Sequence, residues 1–313
     1  MKNKLRATRL PLALCCGLLV LAAGHFTLAA AQDEEKGIRA EEFLGTRPAI
    51  NTPKRNTPPN PARYKTATKL ASGTNVTTPP EGLAFAQVGV TTWRLRKSTS
   101  QDKTKELIEG DDEEGKAEYT LERVQDGAPL AVGQRVRLSI ESLNRDGYLY
   151  VIDREQYEDG SFSDPLLIFP SSKNLDANRD ANKVKAGRLI SIPSGKGRSF
   201  QLKPRPGDKR QVAELITILV APTPLVDPTK LGAKPYLPAR QVAEWEKKWG
   251  ATPTKFELEG GLGQAMTENE QTAGANATAA LTQDDPGPQT VYRVAIKPEN
   301  PVLLSVPLKL KIY

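Results

Sequence analysis

The sequence predicts an all-β fold, an antiparallel β-sandwich with one short helix towards the C-terminus and long disordered flanks. Three observations carry this. Residues 134–143 alternate, with Val136, Leu138 and Ile140 on one face and Arg135, Arg137 and Ser139 on the other, the period of a half-buried strand. Short β-branched or apolar runs follow, separated by clusters of Pro, Gly, Asn or Asp, as in sandwiches and barrels. Both cysteines, Cys15 and Cys16, and the only histidine, His25, fall in the first 31 of 313 residues. The fold must therefore stand on its own core, without disulfides or thiolate and imidazole metal clamps.

Residues 1–31 read as a secretory signal. Lys2, Lys4, Arg6 and Arg9 precede an apolar run at 10–21, and Ala29, Ala30 and Ala31 supply small residues for cleavage before Gln32. Leu14 stands directly before Cys15 where acylation needs a small residue, which argues against a lipoprotein. The alternative is a retained signal anchor, because 10–31 approaches the roughly 20 residues of a spanning helix, although Gly24, His25 and Thr27 weaken its second half. The expected location is periplasmic or extracellular, with no membrane span after cleavage. The mature chain then holds no thiol and no imidazole, which excludes Cys nucleophiles and His bases. The full chain carries 44 basic and 37 acidic residues, a net +7; without the four basic residues of the leader it is 40 against 37, or +3. That balance, with no basic stripe interleaved with aromatics, argues against nucleic acid.

Along the mature chain, residues 32–82 hold seven prolines among Thr, Asn, Lys and Arg and read as a disordered linker. Their single strict P-x-x-P, Pro58 to Pro61, is a weak docking signal. The β-sandwich domain spans 83–224. Its strands are expected at 87–95, ending near Trp93, then 119–124 and 134–143, with a charged, solvated loop at 102–118 containing Asp111, Asp112, Glu113 and Glu114. Asp146-Gly147 predicts a tight hairpin after 134–143. The returning run 148–152 is apolar on both faces and so central in its sheet. Further strands are expected at 166–169, 188–192, 199–202 and 212–220. Residues 225–288 form a second linker with a low-complexity part after 251, interrupted by a helix at 238–249. Pro238 stands near the start of that helix, Gly250 just past its end, and Val242, Trp245 and Trp249 share one face. Residues 289–313 supply two strands that join the sandwich, at 290–296 and 303–312. The second alternates Leu308, Leu310 and Ile312 with Lys309 and Lys311, which suits a protected edge.

One stretch resembles a known family. Val132-Gly133-Gln134-Arg135-Val136-Arg137-Leu138, Asp146-Gly147-Tyr148-Leu149-Tyr150-Val151 and Leu167-Ile168-Phe169-Pro170 occur in order. They are followed by Asn182-Lys183-Val184, Ala186-Gly187, Ile192-Pro193 and Val212-Ala213-Glu214-Leu215-Ile216. Over about 130–222, roughly a third of the chain, this series is similar to the bacterial extracytoplasmic domain of unknown function 4384. Gly89 to Leu95 looks like a segment that often precedes it. The resemblance implies an immunoglobulin-like sandwich of a kind often appended to peptidase, kinase or repeat domains. It implies no activity, and no catalytic companion domain is recognisable in this chain.

Four patterns suggest sites. Asp176, Asn178 and Asp180 have the first oxygen spacings of a calcium loop, but Ala181 and Gly187 stand where a glycine and a bidentate carboxylate are needed, so a polar surface loop is the better reading. Asp153, Glu155, Glu158, Asp159 and Asp164 crowd the region after the 148–152 strand and suit carboxylate-based glycoside hydrolysis of cell wall. Solvated loop acids are the commoner case, and few sugar-stacking aromatics stand near beyond Tyr157 and Phe162. Gly195 to Ser199 lacks the spacing of a phosphate loop and reads as a basic hairpin turn. Trp245 and Trp249 either close one face of the sandwich or anchor a partner. The N-x-T sequences at Asn75 and Asn276 are read as chance matches in a bacterial-type chain.

The sequence thus assigns no catalytic, cofactor-binding or metal-ligating residue and expects no cofactor. The favoured reading is an exported, non-catalytic module that contacts a protein or the cell envelope. The alternatives are a carboxylate-based cell-wall hydrolase and a signal-anchored structural protein.

Overall fold

The computed structural model describes residues 38–49, 62–67, 78–109, 116–203, 207, 209–227, 230–231, 235–275 and 279–311. Residues 1–31, read above as a leader, and Pro58 to Pro61, Asp111 to Glu114, Asn75 and Asn276 lie outside the described residues.

In chain order the elements are β1 (Ile38–Arg39), α1 (Glu41–Leu44), β2 (Arg63–Thr66), β3 (Ala84–Lys97), β4 (Glu106–Glu109), β5 (Lys116–Val124), β6 (Arg135–Ser142), β7 (Gly147–Tyr157), β8 (Leu166–Phe169) and α2 (Ser172–Ala177). They continue as β9 (Lys183–Val184), β10 (Arg188–Ile192), β11 (Phe200–Gln201), β12 (Gln211–Ala221), α3 (Ala239–Trp249), β13 (Thr254–Leu258), α4 (Glu268–Ala275), β14 (Thr290–Ile296) and β15 (Val302–Lys309). The chain is mostly antiparallel β, as the alternation predicts. Among the described residues there is a ten-stranded sheet running β1-β2-β13-β14-β3-β5-β4, with β6 on the other edge of β3 and β10 and β11 beyond it. A second, five-stranded sheet runs β15-β12-β7-β8, with β9 also on β7.

The two sheets share one apolar core because each strand turns alternate residues to the same side. The large sheet supplies Val88, Val90, Val136, Leu138, Ile140 and Val294, and the small sheet supplies Leu149, Val151, Ile216, Ile218, Leu304 and Val306, to a single cluster. β3 is long enough that one of its edges pairs first with β14 and then with β5, while its other edge carries β6.

The outer faces are covered too. Outside the small sheet, Val242 and Trp245 of α3 pack with Tyr150, Ile152, Leu219, Ala221 and Leu303, while Trp249 is partly buried against them. The tryptophan face is therefore turned to the sheet, with the indoles stacked 6.1 Å apart.

Outside the large sheet the expectation of two linkers needs correction. Within 32–82, β1 pairs with β2 and β2 with β13, and Phe43 and Tyr64 are buried with Phe256, Leu258 and Val291. Within 225–288, β13 joins the sheet and α4 packs on β10, where Leu189, Ala273 and Leu281 form a small cluster. These segments lack apolar periodicity because polar contacts fasten them. The face read as polar, Arg135, Arg137 and Ser139, is buried along with Glu141. Arg47 makes a bidentate pair with Glu141 (2.7 and 2.8 Å) and donates from Nη1 to the carbonyls of Thr282, Asp285 and Pro286. Arg123 lies 5.0 Å from the Trp93 ring centre, pairs with Glu270 and donates to the Gly287 carbonyl. Arg137 is bidentate on Glu106 at 2.8 and 2.6 Å. Glu106 belongs to β4, a strand inside the stretch expected as a solvated loop, and Ile108 beside it is buried.

The Asp146-Gly147 hairpin is also corrected. β6 pairs within the large sheet and β7 within the small one, so the turn carries the chain between sheets. Gly147 is needed for space: a Cβ there would sit 2.6 Å from the Ala221 carbonyl oxygen. The Gly195–Ser199 turn is not a hairpin turn either, because β10 and β11 pair consecutively along the same strand, β6.

Candidate functional site

The five carboxylates singled out after 148–152 do not act as one group. Glu158, Asp159 and Asp164 are exposed, with Glu158 paired to Arg210 at 3.7 Å and Asp159 to Lys209 at 3.0 Å. The Ser161 hydroxyl and N–H and the Lys209 ammonium hold the Asp159 carboxyl below its ordinary value. Pairs this exposed are worth little to stability.

Asp153 and Glu155 belong to β7 itself. Their side chains follow Leu149 and Val151 along the core-facing side, so the inward row changes there from apolar to acidic. β12 makes the same change: Val220, Ile218 and Ile216 give way to Glu214, which stands opposite Glu155 in the register. A register shift between Gln211 and Ala213 then sets Gln211 opposite Tyr157. Gln211 Nε2 donates to Glu214 Oε1 at 2.7 Å, and Tyr157 Oη donates to Glu155 Oε2 at 2.6 Å.

Burial, followed by the negative charge of Asp153, pushes the Glu214 carboxyl up to about 8. Gln211 also donates to it, which pulls the other way, but a hydrogen bond with Asp153 and the charge of Glu155 add to the rise. Two carboxyls in hydrogen-bond contact need one proton between them, since an ionised carboxylate only accepts. Glu214 was missed by the sequence reading. The available signal was an acid at an inward position of the strand expected at 212–220.

Arg154 projects to the opposite face, where it pairs with Glu246 of α3 and lies 4.8 Å from the Phe162 ring centre. That fixes helix to sheet and places Phe162, one of the two aromatics weighed for stacking a sugar, with Arg154 on the face away from the inward acids.

The 176–180 oxygens are dispersed. Asp176 lies in α2, the Asn178 side chain accepts from the Asp180 N–H at 3.0 Å, and all three residues are exposed. Among the described residues, no three Asp, Glu, His or Cys side chains are arranged to hold a metal ion. No described helix is long and apolar enough to cross a membrane.

A separate cleft of about 430 Å³ lies between the β5–β6 connection, the 262–263 turn and Lys311. Val124, Pro129, Leu130 and Leu262 form its apolar lining, with Arg94 and Lys311 beside them. Leu262 is 61% exposed, and Val132, in the same β5–β6 connection, is 50% exposed. Such a volume falls within the range of small-ligand or side-chain pockets. No family model, no curated protein and no solved structure matches this chain.

Proposed function

We propose that this chain is an exported, non-catalytic module of immunoglobulin-like sandwich type, working in the periplasm or outside the cell, that binds a protein or cell-envelope partner through the cleft lined by Leu130 and Leu262. The observation that carries this is the coverage of both sheet exteriors by the chain's own segments. α3 lies on one and α1, α4 and the 281–289 loop lie on the other. Broad recognition by a sheet face is thereby disfavoured, and the exposed apolar residues around the cleft are the better contact surface. The leader-like residues 1–31 support export.

The hydrolase alternative is weaker. Of the five acids, three are exposed without a shared cleft and two face the core. A catalytic acid and base need a substrate between them.

Two experiments test the proposal. N-terminal sequencing of the exported protein should return a chain that starts at Gln32; a retained leader would favour the anchored alternative. A photo-crosslinking residue at position 262 should form a discrete adduct in cells, while one at the exposed Leu107 should not. Equal adducts at both positions, or none at 262, would remove the cleft as the contact surface.

A further inference from the structure

We propose that the inward carboxylates at the far end of β7 and β12 form a proton latch, in which one proton shared by Asp153 and Glu214 keeps that end of the small sheet closed. Two strands that are apolar along most of their core side both become acidic at the same level, Asp153 and Glu155 on β7 and Glu214 on β12. Like charges directly across a strand pair oppose pairing, and Glu155 is directly across from Glu214.

Hydrogen-bond capacity at this end is unbalanced towards acceptors. Glu214 Oε1 is taken by the Gln211 amide, and Glu214 Oε2 is buried with no donor reaching it. Gln211 is 7% exposed, and its own Oε1 is a second buried acceptor without a donor. A proton on Glu214 Oε2 supplies the missing donor towards Asp153. The acids are not arranged as metal ligands, so the small ligand this cluster suits is the proton.

The surroundings support that assignment among the described residues. β15 presents Leu308 opposite Glu214, and β8 presents Leu166 beside Asp153; neither is titratable. β7 adds Tyr157, whose hydroxyl serves Glu155. At the strand ends, Lys209 lies 5.5 Å from the Tyr157 ring centre and pairs with Asp159, and Arg210 pairs with Glu158. Loss of the shared proton would leave Asp153, Glu155 and Glu214 all negative against an apolar core. The end formed by residues 153–157 and 211–214 would then loosen while the rest of the sheets stays closed.

The test is hydrogen exchange of the full chain from about pH 6 to about pH 9, with each rate divided by its intrinsic rate at that pH. Protection of 149–157 and 211–216 should fall by up to about ten-fold per pH unit, the limit for one linked proton, while β3 and β6 hold steady. Glu214→Gln should abolish that slope, and Glu158→Gln should leave it. An infrared carbonyl band of a protonated carboxyl should persist at neutral pH and vanish in Glu214→Gln. If Glu214→Gln does not fold, Asp153→Asn and the wild-type infrared band decide. A flat wild-type profile, a slope retained in Glu214→Gln or Asp153→Asn, or no protonated-carboxyl band at neutral pH would each overturn the latch.

Discussion

Replacing Arg47 with alanine tests how the N-terminal segment is held. Arg47 is 2% exposed and Glu141 is fully buried, so the substitution strands a carboxylate in the interior. It also removes the donor that reaches three carbonyls of the 281–289 loop. Breaking a buried ion pair from one side costs about 3–5 kcal/mol. The three carbonyl contacts, at 3.1–3.4 Å, are longer and partly buried, so water can replace them at small cost. The expected loss is therefore about 3–5 kcal/mol, and it should be read from urea unfolding with the slope checked for two-state behaviour. Arg47→Lys should lose much of the same energy, because an ammonium cannot reproduce the bidentate fork. Arg47→Met combined with Glu141→Leu should recover most of it, since no charge is left unpaired. A loss below about 1 kcal/mol in Arg47→Ala would refute the reasoning, because it would mean that the segment is not seated on the sheet.

Other outcomes follow from the same packing. Trp245→Ala should cost about 3 kcal/mol by opening a cavity under α3, seen in the unfolding midpoint; a surface-like change of a few tenths would place the indole outside the core. Gly147→Ala should destabilise by more than about 1 kcal/mol, because the Ala221 carbonyl occupies the space a Cβ needs; a neutral result would mean that the two sheets separate easily there. Burial pushes the Glu106 carboxyl up, but the hydrogen bonds and charge of Arg137 outweigh that and hold it below its ordinary value. Its folded value being depressed, its contribution is present above the unfolded value and is lost as pH falls through the folded one. The stability gap between wild type and Glu106→Gln should therefore be widest near neutral pH and close in acid below about pH 4; a gap independent of pH would contradict the pairing with Arg137.

The central strands were legible because their cause is local. Alternation at 134–143, the two-faced apolar run at 148–152 and the short runs at 166–169 and 188–192 each encode burial by period, and the structure places strands on all of them. The helix at 239–249 announced itself through Pro238, Gly250 and an apolar face. What stayed hidden depends on partners far away in the chain. Phe43 and Tyr64 stand in a proline-rich stretch without apolar periodicity, and what explains them is each other's ring together with Phe256, Leu258 and Val291, far along the chain. Nothing local marks Arg47 and Arg123 for burial until Glu141 and Glu270 are brought to them. One cue for α4 was present and passed over: Thr267 and Glu270 cap each other reciprocally, the spacing of a capping box. Asp146-Gly147 misled because a favoured hairpin pair also serves a tight crossing between sheets. For the acid cluster, Asp153 and Glu155 were noticed for their charge, but their strand parity, which sends them inward to meet Glu214, was not applied.

Residues 38–49, 260–275 and 279–289 form a built layer of the fold, seated by buried arginines. Native-state hydrogen exchange on peptides covering 40–48 and 279–290 measures this most directly. Protection within about ten-fold of that of β3 is the expected result. Exchange at the rate of an unstructured chain in both segments would mean that the sheet's outer face lies bare and that the layered reading is wrong.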